Sequence, residues 1–197
     1  MKLLLASASP RRREILETLR IPCDVAQVDA DERERPGEEP DAYLERIVAS
    51  KQALARPLAQ ARGSAAFLVA DTTVVLGDQI LQKPVDREDD ARMVRALSGR
   101  THRVMTRFTV ETRTGQAWSE TVTTRVSLRT LSEDEVARYA LVGEGLDKAG
   151  GYAIQGLGAF AVTGIEGSYT NVVGLPAQEL VSALLALRVI PSFPFVP

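Results

Sequence analysis

The segment Phe67-Leu68-Val69-Ala70-Asp71-Thr72-Thr73-Val74-Val75-Leu76 decides the fold. A run so rich in valine and leucine is typical of a buried strand in an α/β protein. Asp71 and Thr72 interrupt the run, so the pattern predicts a strand that is broken at this pair. Open α/β sheets place catalytic groups at the ends of such strands, which makes Asp71 a candidate catalytic residue. The alternative is an aspartate that only caps a turn.

The segments on either side predict a mixed α/β fold with parallel and antiparallel strands. Short strands are expected at residues 2–6 and 79–82, and alternating apolar residues predict a long antiparallel pair at 104–110 and 122–128. Helices are expected at residues 10–20, 43–58, 87–97, 132–141 and 177–187, and Pro57 is expected to kink or end the second of them. An acidic stretch at residues 29–45 is expected to be mostly a solvated loop. Nine of the 14 glycines fall within residues 143–174, which requires unusual backbone dihedrals or a close approach to a ligand.

Composition narrows the class of protein. The chain has 197 residues with 45% apolar and 25% charged side chains, as a globular domain has, and its net charge of −2 favours neither nucleic acid nor an anionic membrane as a partner. One cysteine and one histidine exclude an internal disulfide, a thiolate zinc cage and a histidine-rich metal site. The short apolar start does not predict a signal peptide, and no run is long enough to span a membrane, so a cytoplasmic protein is expected.

Three arginines, Arg11 to Arg13, open the first predicted helix, where cations oppose the helix dipole. They follow the turn Ser7-Ala8-Ser9-Pro10, which offers hydroxyls and amides. The helix N-terminus and the guanidinium groups together suit a polyphosphate. The alternative is that the arginines merely point to solvent.

Lys51 falls almost at the middle of the apolar face of the predicted helix 43–58. A lysine at the edge of such a face can extend its ammonium into water, and that role is the alternative here. At the middle of the face, Lys51 is expected to project into a cleft that contains negative charge.

Acidic residues that follow and precede Asp71 in the sequence predict a metal site together with it. Asp71 is followed, across a predicted hairpin, by Lys83-Pro84-Val85-Asp86, which gives an acid–cation–acid grouping. Oxygen ligands from Asp71, Glu32 and Asp86 suit Mg²⁺ or Mn²⁺, cations that bridge phosphates and keep several waters.

Taken together, these motifs resemble those of the Maf family of nucleoside triphosphate pyrophosphatases over nearly the whole chain. In the family's order they are Ser7-Ala8-Ser9-Pro10-Arg11-Arg12, Asp31-Glu32, Lys51, Ala70-Asp71-Thr72, Lys83-Pro84-x-Asp86, Leu97-Ser98-Gly99-x-x-His102, Gly151-Tyr152-Ala153-Ile154-Gln155-Gly156 and Gly167-Ser168-Tyr169-x-Asn171-Val172-Val173-Gly174-Leu175-Pro176. Each motif is weak by itself, and the series makes a chance similarity very unlikely.

The resemblance implies a cytoplasmic enzyme that splits a nucleoside triphosphate into monophosphate and pyrophosphate with Mg²⁺ or Mn²⁺. It implies one Maf-like domain over residues 1–197, a two-lobed mixed sheet with flanking helices similar to the inosine triphosphatase group, and an active site in the cleft between the lobes. By the same resemblance Asp71 is the proton acceptor. Chemistry adds Lys51 and Lys83 as further catalytic candidates that would share the charge of the leaving pyrophosphate with Arg11, Arg12 and the metal, and Glu32 as a second metal ligand or base. Ser7, Arg11 and Arg12 are the expected substrate-binding residues. A homodimer is one open alternative for the oligomeric state.

Base preference is implied by three positions, Arg11, Thr72 and Gln155, whose combination resembles the subgroup that cleaves dTTP and UTP. The subgroup that acts on 7-methyl-GTP has different residues at the matching places. Two alternatives from other classes stay open: a nucleotide-binding regulator of cell division, and a hydrolase of sugar phosphates with a similar anion site.

Overall fold

The computed structural model describes residues 2–194, which form a mixed α/β fold. The strands are β1 (Leu3–Ala6), β2 (Cys23–Ala26), β3 (Ala66–Leu76), β4 (Gln79–Leu81), β5 (Thr101–Thr112), β6 (Ala117–Leu128) and β7 (Val162–Glu166). The α-helices are α1 (Pro10–Thr18), α2 (Pro40–Ala61), α3 (Arg87–Leu97), α4 (Glu133–Val142), α5 (Tyr169–Val173) and α6 (Ala177–Ala186), and two short 3₁₀ helices span Ala149–Gly151 and Leu157–Ala161. Within the described residues the strands make a seven-stranded sheet of order β2-β1-β3-β5-β6-β7, with β4 paired to β3. The predicted class, a mixed sheet with flanking helices, is confirmed.

The chain divides into two compact units. The first contains the described parts of Met1–Asp71, Thr106–Val122 and Gly174–Pro197, and the second contains Thr72–Met105 and Thr123–Val173. The chain therefore passes from one unit to the other within β3, β5 and β6. That the two units belong to a single domain stays a prediction.

The first unit is built on β1, which pairs in parallel with β2 on one side and β3 on the other. All four residues of β1 are apolar and buried, as expected of a strand that is covered on both faces of the sheet. A core between these strands and α2 contains the buried side chains Leu4, Ala6, Ala26, Val48, Ala55, Ala59, Phe67 and Val69. Strand β2 was not predicted, because Cys23-Asp24-Val25-Ala26 is largely exposed and lacks an apolar pattern.

Helix α2 is longer than predicted at both ends. It begins at Pro40, so the last part of the expected acidic loop is helical, and a proline is favourable in a first helical turn. It also continues through Pro57 to Ala61, where an end or a kink was predicted. Pro57 and Ala53, whose carbonyl loses its helical partner, are both exposed, so water can satisfy that carbonyl.

Strand β3 is continuous through Asp71, and the prediction of a break at Asp71-Thr72 is wrong. The charge of Asp71 does not disrupt the strand because a lysine from α2 neutralises it, as described below. Asp71 ends the first of the three segments that make up the first unit, on the strand that pairs in parallel with β1.

In the second unit, local sequence signals define most of the elements. Gly77 has the positive φ of +63° that the predicted hairpin between β3 and β4 requires. Helix α3 has its predicted bounds, and α4 begins with the predicted capping box of Ser132 and Glu135. The glycine-rich segment after α4 contains β7, α5 and both 3₁₀ helices, none of which was predicted. No helix within residues 2–194 combines the length and the apolar character needed to cross a bilayer.

Candidate active site

In the first unit, Lys51 joins two carboxylates from separate parts of the chain. Its Nζ lies 2.6 Å from Oδ1 of Asp71 and 2.6 Å from Oε1 of Glu32. Only 6% of Lys51 and 7% of Asp71 is exposed. The lysine lies on the buried face of α2 because its ammonium is met there by negative charge, which is the environment that the sequence predicted.

The loop that carries Glu32 is fastened to the first turns of α2. The Tyr43 hydroxyl donates a hydrogen bond to the backbone carbonyl of Glu32 at 3.0 Å. Arg46 donates to the carbonyl of Arg33 at 2.9 Å and makes a double ion pair with Glu38, both contacts at 2.6 Å. Burial, and after it the negative charges of Asp71 and Glu32, raises the pKa of the Tyr43 hydroxyl, which therefore stays a donor. The sequence analysis missed these contacts.

Arg12 is the buried member of the arginine run, with 8% of its surface exposed. Its Nε donates to the carbonyl of Gly174 at 2.8 Å, and its Nη1 donates to Oγ of Ser7 at 3.2 Å. Burial lowers the pKa of Arg12, while the negative charges of Asp71 and Glu32 oppose this shift. Arg12 is thus held by neutral acceptors and interacts electrostatically with both carboxylates of the lysine cluster.

The other two arginines of the run differ from Arg12. Arg13 is exposed and pairs with Glu17 one turn further along α1, at 2.7 Å. Arg11 is half-buried. The ion pair of Arg13 therefore lies on the exposed surface of α1 and is of a kind that contributes little to stability.

The pair Asp71 and Glu32 suits a divalent cation that is bound together with phosphates. Their two oxygens lie at most 5.2 Å apart, since each is 2.6 Å from the same nitrogen. Among the described residues there is no group of three His, Cys, Asp or Glu side chains that could hold a metal ion. Mg²⁺ is commonly held by one or two carboxylates, with substrate phosphates and water as its other ligands, so this pair fits such a cation.

The remaining predicted site residues lie in the second unit. Thr72 follows Asp71 on β3, and Lys83 is an exposed residue between β4 and α3. Oδ1 of Asp86 accepts a hydrogen bond from the backbone of Asp89 at 2.8 Å and so caps α3. Gln155 is exposed in a turn before the second 3₁₀ helix. Metal binding by Asp86 and substrate binding by Thr72, Lys83 and Gln155 stay predictions.

Glu144, which follows α4, holds the turn that carries Gln155. Its carboxylate accepts hydrogen bonds from the backbone N–H groups of Leu157 at 2.9 Å and Gly158 at 3.0 Å. It also accepts one from the Tyr139 hydroxyl at 2.8 Å. The sequence analysis missed Glu144. The one signal that the sequence offers is its place between two glycines, Gly143 and Gly145.

A buried lysine between two carboxylates, beside a buried arginine at the start of a helix, suits an enzyme that acts on phosphate anhydrides. The chain matches the family described as "Maf-like protein" over residues 2–187 and belongs to that family. It is 48% identical over 182 residues to a dTTP/UTP pyrophosphatase of Myxococcus xanthus, a match that covers 92% of this chain and 90% of the relative. It is also 45% identical over 183 residues to a dTTP/UTP pyrophosphatase of a Geobacter species, with 92% and 93% covered. A solved HAM1 protein from Coxiella burnetii aligns with 95% of this chain and 99% of its own, at 14% identity and a TM-score of 0.49.

Proposed function

We propose that this chain is a nucleoside triphosphate pyrophosphatase that hydrolyses dTTP and UTP to the monophosphate and pyrophosphate in the cytoplasm. The observation that carries the proposal is the cluster of buried Asp71 and Lys51 with half-buried Glu32, whose two carboxylates interact electrostatically with buried Arg12. It is supported by relatives named dTTP/UTP pyrophosphatase at 44–48% identity over at least 92% of this chain.

In this proposal Asp71 is the proton acceptor. A water oxygen attacks the α-phosphorus, its proton passes to the Asp71 carboxylate, and the bond from the α-phosphorus to the α–β bridging oxygen breaks. The electron pair of that bond leaves with pyrophosphate. Lys51 donates to Oδ1 of Asp71 and so orients the carboxylate, and Glu32 is the alternative base on the other side of the same ammonium.

Positive side chains balance the charge that develops on the leaving group. Arg11, Arg12, Lys51 and Lys83 are the proposed cations, and Ser7 offers a hydroxyl that Arg12 already orients. A bound Mg²⁺ or Mn²⁺ would neutralise phosphate charge, with Asp71 and Glu32 as its proposed protein ligands and Asp86 as a further one.

Gln155 is the proposed reader of the base, with Thr72 and Arg11 as further specificity positions. Uracil and thymine present an N–H donor flanked by carbonyl acceptors, and a side-chain amide can meet both kinds of group.

The experiment is a product assay with dTTP, UTP, CTP, ATP and 7-methyl-GTP in Mg²⁺ or Mn²⁺. We expect pyrophosphate from UTP and dTTP, a large loss of rate in Asp71→Asn and in chelator, and no loss in the surface control Asp134→Asn. Release of orthophosphate would contradict the proposal, and a preference for 7-methyl-GTP would contradict the subgroup. Tight binding without turnover in the wild-type protein would favour a nucleotide-binding regulator.

A further inference from the structure

In the second unit, the side chains of Glu144 and Tyr139 bind the backbone at both ends of the turn that carries Gln155, and we call this pair the clamp. No step of the proposed mechanism uses it. We propose that Glu144, together with Tyr139, is a positioning residue that fixes the turn around Gln155 and thereby sets the discrimination of uracil and thymine from cytosine. This inference rests on the proposed function, because it assigns the origin of base selectivity to a residue outside the reacting groups.

The clamp holds the turn at both ends. At the start, the backbone N–H of Ala153 donates to the Tyr139 hydroxyl at 3.2 Å, and that hydroxyl donates to Oε2 of Glu144 at 2.8 Å. At the end, Leu157 and Gly158 donate their backbone N–H groups to the same carboxylate. The turn is closed internally by a hydrogen bond from the Gly156 N–H to the Ala153 carbonyl at 3.3 Å. Gln155 is therefore presented by a backbone that is fixed on both sides.

Packing around the clamp leaves little freedom. A Cβ on Gly156 would overlap Oε1 of Glu144, so the turn passes directly over the carboxylate. A Cβ on Gly158 would lie 2.7 Å from the carbonyl oxygen of Ala153 and 3.0 Å from the Tyr139 hydroxyl. Ala153 and Gly158 are buried, whereas Gln155 between them is exposed. A turn that recognises a base needs fixed ends of this kind and an exposed side chain between them.

Ionisation keeps the clamp closed. Burial tends to raise the pKa of Glu144, but hydrogen bonds from Gly158, Leu157 and Tyr139 outweigh it and lower the pKa. The carboxylate therefore stays ionised at neutral pH, and its two oxygens can accept hydrogen bonds from all three donors.

The chemistry of the bases explains why a fixed turn matters. Uracil and thymine have an acceptor at O4, whereas cytosine has an amino donor at N4. A glutamine amide can rotate by half a turn, so it selects one edge only where fixed groups beside it decide its orientation. Discrimination then needs groups that cannot rotate, and the backbone N–H and carbonyl groups of a clamped turn have a fixed direction.

The test compares wild type with Glu144→Gln, in which one oxygen is replaced by an amide donor that must face a backbone or hydroxyl donor. The measured quantity is the ratio of kcat/KM for UTP to kcat/KM for CTP. We expect this ratio to fall by about tenfold or more in Glu144→Gln, because the loss of one charge-assisted contact is of that size. Tyr139→Phe keeps the ring against Phe160 and removes only the hydroxyl, so it should lower the ratio in the same direction.

Glu133→Gln is the matched control. Glu133 lies on α4 in the same unit and pairs with Arg95 on α3, so its loss does not touch the turn, and the UTP/CTP ratio should stay at the wild-type value. In the double variant Glu144→Gln/Gln155→Ala, the ratio should fall no further than in the poorer single variant, since both residues act through one turn.

Each outcome decides the matter. An unchanged ratio in both Glu144→Gln and Tyr139→Phe, or fully multiplicative losses in the double variant, overturns the clamp and leaves the proposed function standing. A wild-type protein that releases no pyrophosphate from UTP overturns the proposed function and this inference with it.

Discussion

Nζ of Lys51 lies 2.6 Å from Oδ1 of Asp71, across 20 residues of sequence, and the two side chains are 8% and 10% exposed. The folded protein's stability depends on both charges of such a buried pair being present together. Removing one partner of a buried pair leaves an uncompensated charge, whereas replacing both can cost little.

Lys51→Met should therefore destabilise the protein by about 3 kcal/mol, because Asp71 would remain charged and buried. Adding Asp71→Asn should restore most of the lost free energy of unfolding while leaving hydrolysis abolished. Urea unfolding at pH 7 measures the first effect and pyrophosphate release the second. A double variant as unstable as Lys51→Met would contradict the dependence of the two charges on each other.

Arg12 and Arg13 offer a comparison between neighbours. Arg12→Lys should lose the paired contacts to Gly174 and Ser7 and cost about 1–3 kcal/mol, because a single ammonium cannot reproduce a guanidinium fork. Arg13→Lys changes only the exposed pair with Glu17 and should cost less than about 0.5 kcal/mol. Thermal unfolding distinguishes the two variants, and equal costs would contradict the burial argument.

Asp90, on α3, is buried among glycines. Neither of its oxygens has a hydrogen-bond partner among the described residues, and a Cβ on Gly145 would lie 2.5 Å from Oδ1. Burial, and to a lesser extent Asp89, raises the pKa of Asp90 to about 6, against the charge of Lys148. Because the native state holds this proton more tightly than the unfolded chain, stability falls as the pH rises from about 4 through 6.

Asp90→Asn should therefore be more stable than wild type at pH 7, by about 1–2 kcal/mol, and the gain should vanish near pH 4. Urea unfolding at several pH values measures the difference. A gain that is constant from pH 4 to 7 would show that ionisation of Asp90 is not its cause.

His102 gives the opposite dependence on pH. It is the one histidine of the chain, and its Nε2 lies 2.7 Å from the buried Tyr152 hydroxyl. Burial lowers its pKa to about 4, so below about pH 6.5 the unfolded chain binds a proton that the native state does not. Stability should then fall by about 2 kcal/mol between pH 6.5 and 4.5 from this group alone.

His102→Gln should flatten that part of the pH profile, whatever its effect on stability at pH 7. The comparison is between slopes of unfolding free energy against pH, with Asp90→Asn as the background so that the two groups do not cancel. An imidazole resonance that titrates near pH 6.5 in the native protein would contradict the prediction.

Sequence signals predicted those elements whose causes are local. The bounds of α3 follow from the cap at Asp86 and the stop at Gly99, whose φ is +69°, and the capping box of α4 lies within four residues. The hairpin at Gly77 is of the same kind. In each case the residues that fix the backbone are neighbours in sequence.

Sequence signals failed where a distant partner decides. The break expected at Asp71 does not occur because Lys51 neutralises the carboxylate from another element. Strand β2 exists because β1 offers it an edge to pair with, although its own residues are largely exposed. The contacts of Arg12 with Gly174 and of Tyr43 with Glu32 are made to backbone carbonyls, which no residue type reveals.

The bond from Arg12 to the carbonyl of Gly174 spans 162 residues, and it has a consequence for synthesis of the chain on the ribosome. The guanidinium emerges early, yet its acceptor is made only when most of the polypeptide has been translated. Until then α1 cannot bury Arg12 with both of its partners in place. The contacts that hold Arg12 at the start of α1 are therefore among the last to be completed, and a nascent chain that stops before Gly174 leaves them unfinished.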